Sequence, residues 1–369
     1  MIHSTNWKVV LVFLAFTCQA FAQESAAIQD TTVLPDRNKF LIFPVVSRTP
    51  ETSWDFGFAG TYVFHAHSRA DTLTRTSTIP FGGVYTLNKQ VVLGLGANVF
   101  FPQEKYWFRM ESSFSSFPDK FWGIGNNTPD KNEERYDFKQ FFFNPVLLRK
   151  VYGNLFLGLS YEYQRVYDFN FKPGGQFELN EVVGRYGNYT SGFGLIISND
   201  SRNNAYSPNK GALMQLSVTK FNRALGSETS FMVYKLDIRK FIQTRPDHVL
   251  AMQAFGTFTS GDTPYRYLPV IGSTTVMRGY YSGRFRDRNL FAVQAEYRMP
   301  VWWRFGVVGF AGLGQVSDQI SSMQLKGFKY SVGAGLRIAL LQQEKFNLRL
   351  DYGFGNNSTA FYIVVSEAF

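Results

Sequence analysis

Cysteine is nearly missing from this chain. Cys18 is the single one, and it lies ahead of everything argued below to fold. A mature chain without a thiol has no disulfide and no cysteine-based metal site. Long apolar runs are missing as well. Beyond residue 22 no stretch reaches the roughly 18 consecutive apolar residues that a membrane helix needs. Acids fall short of bases, 28 Asp and Glu against 38 Lys and Arg, for a net charge of +10. A basic protein can bind nucleic acid, but the export argued next sets that partner aside. The charge then reads as scattered solvated groups, with some facing anionic lipid headgroups or lining a pore.

The chain opens MIHSTNWKVVLVFLAFTCQAFAQE. Lys8 precedes an apolar run from Val9 to Phe16, and Ala20-Phe21-Ala22 sets small residues where a signal peptidase reads. Residues 1–22 are therefore expected to be a cleaved secretory signal peptide. The apolar run is too short for a spanning anchor, and Thr17 before Cys18 fits a lipoprotein site poorly. Residues 23–38 are polar and read as a short periplasmic tail, leaving 39–369 as a single folded unit. An exported chain without disulfides needs a large core or a membrane for its stability.

What is abundant is aromatic and small. Aromatics make up 17%, with 38 Phe, and Gly occurs 32 times. Stretches of about ten residues alternate polar with apolar and end in turns. In Asn289 to Met299, Phe291, Val293, Ala295, Tyr297 and Met299 fall on one face, and Ala292, Gln294, Glu296 and Arg298 on the other. Tyr234, Leu236 and Ile238 oppose Lys235, Asp237 and Arg239. Leu348, Leu350, Tyr352 and Phe354 oppose Asn347, Arg349, Asp351 and Gly353. Polar faces this rich in charge suit a wet lumen, with lipid on the apolar side. The fold class expected is all-β, a transmembrane antiparallel β-barrel of about 16 strands. The strands centre on 41–46, 56–64, 77–85, 91–100, 107–114, 138–148, 155–163, 190–197, 213–219, 231–241, 249–258, 290–299, 305–313, 330–339, 346–352 and 361–369. Joins after even-numbered strands are mostly short. Several after odd-numbered strands are long (117–136, 168–189 and 261–289), as expected of periplasmic turns and outer loops. The chain ends on Phe369, read as a lipid-facing terminal aromatic that signals assembly into the outer membrane. Glu367 is placed at the headgroup boundary.

Four segments, in order, carry a resemblance. Val276-Met277-Arg278-Gly279-Tyr280, then Arg284-Phe285-Arg286-Asp287, then Glu296-Tyr297-Arg298-Met299-Pro300 resembles the signature loop and following strand of the BamA/TamA/FhaC superfamily. Asn199 to Asn204 followed by Ser207-Pro208-Asn209-Lys210-Gly211 is similar to that family's turn between strands eight and nine. Gly333 to Arg337 and Arg349 to Gly353 resemble its penultimate strands. The resemblance implies an outer-membrane barrel that inserts or translocates polypeptide or lipid, with one outer loop folded into the bore. It implies that Arg278, beside Gly279 and Tyr280, meets Glu296 on the wall and a second acid in a Phe-x-Asp-x-Gly segment. That segment is Phe310-Ala311-Gly312-Leu313-Gly314 here. Gly312 stands where the family has Asp, so the loop is expected to be held less tightly or differently. Arg284, Arg286 and Arg288 are read as charges with no individual role. Family members carry periplasmic receiving domains, and the short stretch before strand one points to a barrel without them. Client handling then falls to a separate periplasmic partner. The alternative is a passive pore or structural barrel.

An enzyme is not expected. His65 and His67 share a strand face at a metal-capable spacing, but no third ligand stands near, and no metal or cofactor is expected. There is no Gly-x-Ser-x-Gly elbow. Gly94-Leu95-Gly96 lies in a strand, outside the context of a dinucleotide loop.

Overall fold

The computed structural model describes residues 38–64, 66, 74–204, 207–341, 346–365 and 367–369. The expected signal peptide, most of the expected tail, His65 and His67 lie outside the described residues. Eighteen strands follow in chain order: β1 (Lys39–Thr49), β2 (Ser53–Phe64), β3 (Ser77–Thr86), β4 (Val91–Phe100), β5 (Tyr106–Phe121), β6 (Glu134–Tyr152), β7 (Leu155–Asn170), β8 (Asn188–Asp200), β9 (Gly211–Phe221), β10 (Phe231–Arg245), β11 (His248–Gly261), β12 (Val270–Ile271), β13 (Phe285–Arg286), β14 (Asn289–Trp302), β15 (Phe305–Ser317), β16 (Lys329–Leu341), β17 (Phe346–Gly355) and β18 (Ser358–Val365). All but β12 and β13 close into one antiparallel barrel of sixteen strands, in which β11 pairs directly with β14. Every strand expected from alternation is present. The last one stops at Val365, short of the chain end.

The alternation works as the period of two requires. Along β8, Phe193, Leu195 and Ile197 are exposed outward, while Thr190, Ser198 and Asp200 are buried inward. Outward apolar side chains give lipid nothing polar to solvate, and the closed ladder leaves lipid few unpaired backbone groups. The long joins 122–133, 171–187, 262–288 and 318–328 share one end of the barrel, which this asymmetry makes the extracellular end. There are departures on both sides: the turns 50–52, 87–90 and 356–357 are short on that side, and the joins 65–76 and 201–210 are long on the other.

The wall is uneven. The strands β5, β6 and β7 run 16, 19 and 16 residues. Those flanking the closure are shorter, 11 for β1 and 8 for β18. The closure itself is slight: among the described residues, the β1–β18 ladder is the single pair Arg48↔Ile363, against eleven pairs between β1 and β2.

Loop 262–288 folds into the bore. Its β12–β13 hairpin packs Ile271, Met277, Tyr280 and Phe285 against the wall residues Leu290, Ala292 and Val316. Nearer the outside, Tyr265 joins Phe121, Tyr136, Phe138, Val166, Phe177 and Val182 in an aromatic cap. Phe177 comes from a single-turn helix, Gln176–Leu179, in the loop after β7. Burial of this many rings stabilises the plug by about 1.5–3 kcal/mol per side chain.

A buried ion network clamps the plug loop to the wall

Arg278 sits at the tip of the inward loop and is only 1% exposed. A guanidinium cut off from water needs carboxylates at fork geometry. Two supply it. Arg278 Nη2 lies 2.6 Å from Glu296 Oε2 on β14, and Arg278 Nη1 lies 2.5 Å from Asp351 Oδ2 on β17. The flat face of the cation rests on the Phe310 ring, 3.6 Å from its centroid, where the ring's negative face attracts it.

Asp351 replaces the anchor that Gly312 lacks. Alternation places Asp351 on the polar face of its strand, but not opposite Arg278. Pairing within a strand follows from alternation. Contact between a loop tip and a wall two strands beyond β15 follows only from closure. The loop is therefore held by two acids, and of the two expectations, a looser hold or a different one, the geometry fits the different one. Gly312 acts differently. A Cβ there would lie 3.0 Å from Gln294 Cβ and 3.3 Å from Met277 Sδ, so the small residue makes room for the plug.

The backbone at the tip fits by the same logic. Gly279 has φ +112 and Met277 φ +55, the second a left-handed conformation that costs a side-chain-bearing residue about 1–3 kcal/mol. A Cβ on Gly279 would come within 2.8 Å of the Phe354 carbonyl carbon, and one on Gly353 within 2.9 Å of the Gly279 nitrogen. Two glycines thus let loop and wall backbones touch. The contact is secured by hydrogen bonds: Gly279 N–H donates to Tyr362 Oη at 3.0 Å, Ser358 Oγ donates to Gly279 O at 2.7 Å, and Tyr280 Oη donates to Tyr330 O at 2.6 Å. Ser331 Oγ donates to the Arg278 carbonyl.

The network extends beyond the loop. Arg298 Nε lies 2.7 Å from Glu296 Oε1, and Arg337 Nη1 lies 2.6 Å from Asp351 Oδ1. Arg337 Nε also meets Glu367 Oε2 at 2.8 Å. Asn347 Nδ2 donates to Glu367 Oε1 at 2.7 Å, and Arg298 Nη2 donates to Phe369 O at 2.9 Å. The C-terminal residues consequently turn into the bore instead of continuing β18. Phe369 packs with Phe241, Val249, Ala251 and Ala368, and Ala251 and Val249 face inward opposite Glu296 and Arg298. The readings of Phe369 as lipid-facing and Glu367 as a headgroup-level charge are corrected on this point. A carboxylate surrounded by Arg298 and Arg337 is better solvated inside than at an apolar rim.

Arg284 and Arg286 also have defined partners, against the bland reading. Arg284 Nη2 lies 2.6 Å from Asp130 Oδ1 and donates to Thr128 O at 2.7 Å. Arg286 stacks 3.8 Å above the Tyr265 ring and donates to the Tyr265 carbonyl at 2.9 Å. Arg288 is half-exposed, 3.5 Å from Asp318. A further link joins Tyr281 Oη to Asp119 Oδ1 at 2.8 Å. Burial first, and the Asp119 charge second, push the Tyr281 phenol far above its ordinary range, so it remains a donor at physiological pH.

A lipid-faced, closed, antiparallel barrel with an arginine-clamped loop in its bore defines a class: plugged outer-membrane β-barrels. The model of the Omp85 superfamily domain matches residues 60–369, and the chain belongs to that superfamily. No curated protein matches the sequence significantly. Among solved structures it is similar to BamA from Haemophilus ducreyi lacking POTRA domains 1–3, at 12% identity and TM-score 0.57, covering 90% of this chain and 70% of that one. It is also similar to CdiB from Acinetobacter baumannii, at 14% identity and TM-score 0.54, covering 91% of this chain and 61% of that one. A third is CdiB from Escherichia coli, at 9% identity and TM-score 0.57, covering 91% of this chain and 64% of that one. The chain spans less than two thirds of either CdiB, and the likeness is one of fold.

Proposed function

We propose that this barrel assists the insertion or translocation of polypeptide or lipid at the outer membrane, with the Arg278–Glu296 pair holding its plug in the resting state. It does so without catalysis, and its partners are outer-membrane lipid and a client or separate periplasmic protein. The observation that carries this reading is the contrast between a plug fixed by two buried acids and a closure of one described ladder pair. A pore evolved for passive diffusion has no use for a filled bore. A one-pair closure leaves most of one β1 edge to accept another strand. Shorter strands on both sides of the closure add to this, because a low wall thins the adjoining bilayer and lowers the cost of crossing it.

The test is reconstitution. Liposomes carrying the protein, with an unfolded outer-membrane barrel as client, are expected to yield more protease-protected client than empty liposomes. Planar-bilayer recordings should show a closed or flickering state. A steady, weakly selective conductance with no gain in client folding would favour the passive-pore alternative instead.

A further inference from the structure

We propose that the extracellular end carries a binding cavity for a neutral saccharide, and that its occupancy reinforces the plugged state. The cavity measures about 410 Å³ and lies between segment 122–132 and the turn after β7. Its polar lining is dominated by five amides, Asn126, Asn127, Asn132, Gln176 and Asn180, with Trp122 beside them, and among the described residues no charged side chain lines it.

That lining selects its ligand by exclusion. Each amide presents both a donor and an acceptor. A charged ligand finds no charged side chain in the lining: the nearby Arg284 and Asp130 bind each other at 2.6 Å, and Lys329 Nζ is engaged by Asn127 Oδ1 at 3.3 Å and by the Phe285 ring at 4.4 Å. An apolar ligand would strip water from the amides without replacing it. A polyhydroxylated neutral ring satisfies donors and acceptors together; the Trp122 ring is itself buried against Tyr281 and Arg284, so the amides carry the selection. The amides are only partly spent on one another. Asn180 Nδ2 donates to Gln176 O at 2.7 Å, and Asn132 Nδ2 lies 3.5 Å from Gln176 Oε1. Those bonds leave Gln176 Nε2, Asn132 Oδ1 and Asn180 Oδ1 for a ligand.

The floor is stiff and open. Gly125 has φ +123, and a Cβ built on it would meet nothing within 4 Å, so its backbone faces free space. Its N–H donates to Arg286 O at 2.7 Å. Arg284 Nη1 donates to Thr128 Oγ1 at 2.8 Å, and Asn126 Nδ2 donates to Gly327 O at 2.7 Å. One wall of the cavity is therefore stapled to the plug loop through Arg284 and Arg286. Withdrawing the plug would pull that wall apart, so a ligand that needs the intact cavity favours the plugged state by linkage.

The sugar can come from the membrane's own glycolipid or from outside. Full-length protein in phosphatidylethanolamine/phosphatidylglycerol nanodiscs is titrated with maltotriose, chitotriose, mannotriose, sialyllactose and the uncharged outer-chain oligosaccharide of an outer-membrane glycolipid, read by saturation-transfer NMR. Transfer to neutral sugars is expected. Binding restricted to the glycolipid oligosaccharide would identify the membrane as the source, and equal binding of simple trisaccharides would identify a free sugar. The pair Asn132→Ala and Asn180→Ala should weaken binding about tenfold, as should the isosteric Gln176→Glu, with the barrel still folded by its heat-modifiable gel mobility. Saturating sugar should slow hydrogen exchange at residues 274–286. Absence of transfer, transfer untouched by these variants, or a preference for sialyllactose overturns the site. Binding with no change in loop exchange overturns its effect on the plug.

Discussion

Arg278 Nη1 lies 2.5 Å from Asp351 Oδ2, joining residues 73 positions apart in sequence, both sealed from solvent. Asp351 thereby takes the role that the position of Gly312 leaves empty, and it does so from β17 instead of β15. Removing Arg278 leaves two buried acids to the remaining arginines. Arg278→Ala is expected to lower stability by about 3–5 kcal/mol. A double-mutant cycle with Asp351→Ala, read from denaturant midpoints of the folded barrel, should return a coupling of about 1–3 kcal/mol. Additive single effects would mean that the pair contributes nothing of its own.

The glycine contact between loop and wall makes a sharper test, because it changes no charge. Gly353→Ala places a methyl 2.9 Å from the Gly279 nitrogen, whereas Gly94→Ala meets nothing within 4 Å. The first should cost about 1–3 kcal/mol through overpacking and raise bilayer conductance as the plug loosens. The second should leave conductance unchanged. Equal behaviour of the two would show that the close approach does not hold the plug.

Gly312→Asp restores the residue that the family pattern carries. Both terminal nitrogens of Arg278 already meet Glu296 and Asp351, so its buried Nε–H is the main group left for an added carboxylate. The new side chain crowds Met277 Sδ, 3.3 Å from the Cβ position. A loss of about 1–3 kcal/mol is expected in thermal unfolding, and a stabilised variant would contradict the view that Asp351 has replaced this anchor.

The inward turn of the C-terminus has its own signature. Phe369, packed against Phe241, Val249 and Ala251, should cost about 3 kcal/mol when truncated to Ala, as a core ring does. Glu367→Gln weakens the contacts to Arg337 and Arg298 and should increase release of the last residues by carboxypeptidase. A tail equally resistant in the variant would show that Glu367 does not hold it.

The closure predicts a gradient in backbone protection. With Arg48↔Ile363 the one described β1–β18 pair, β1 amides pointing toward β18 between residues 39 and 47 should exchange at least about tenfold faster than those bonded to β2. Uniform protection along β1 would indicate a sealed barrel in the membrane and would weaken the proposed transport role.

The barrel was legible in the order of residues, because a strand's two faces alternate whatever it later touches. Tyr352 and Asp351 had to point opposite ways, and Glu296 and Arg298 had to share a face. The inward loop, with Glu296 as the partner of Arg278, was implied by the family resemblance of the segment around Arg278-Gly279-Tyr280 and not by alternation. Asp351 as the second acid, the Gly279–Gly353 contact, the return of Glu367 and Phe369 into the bore and the thin β1–β18 ladder were decided only by the tertiary structure. Alternation orders side chains within a strand but carries no information about which strand faces a loop across the lumen. That follows from closing the cylinder, which brings β14, β17 and the chain end around one buried guanidinium whose charge admits few other arrangements.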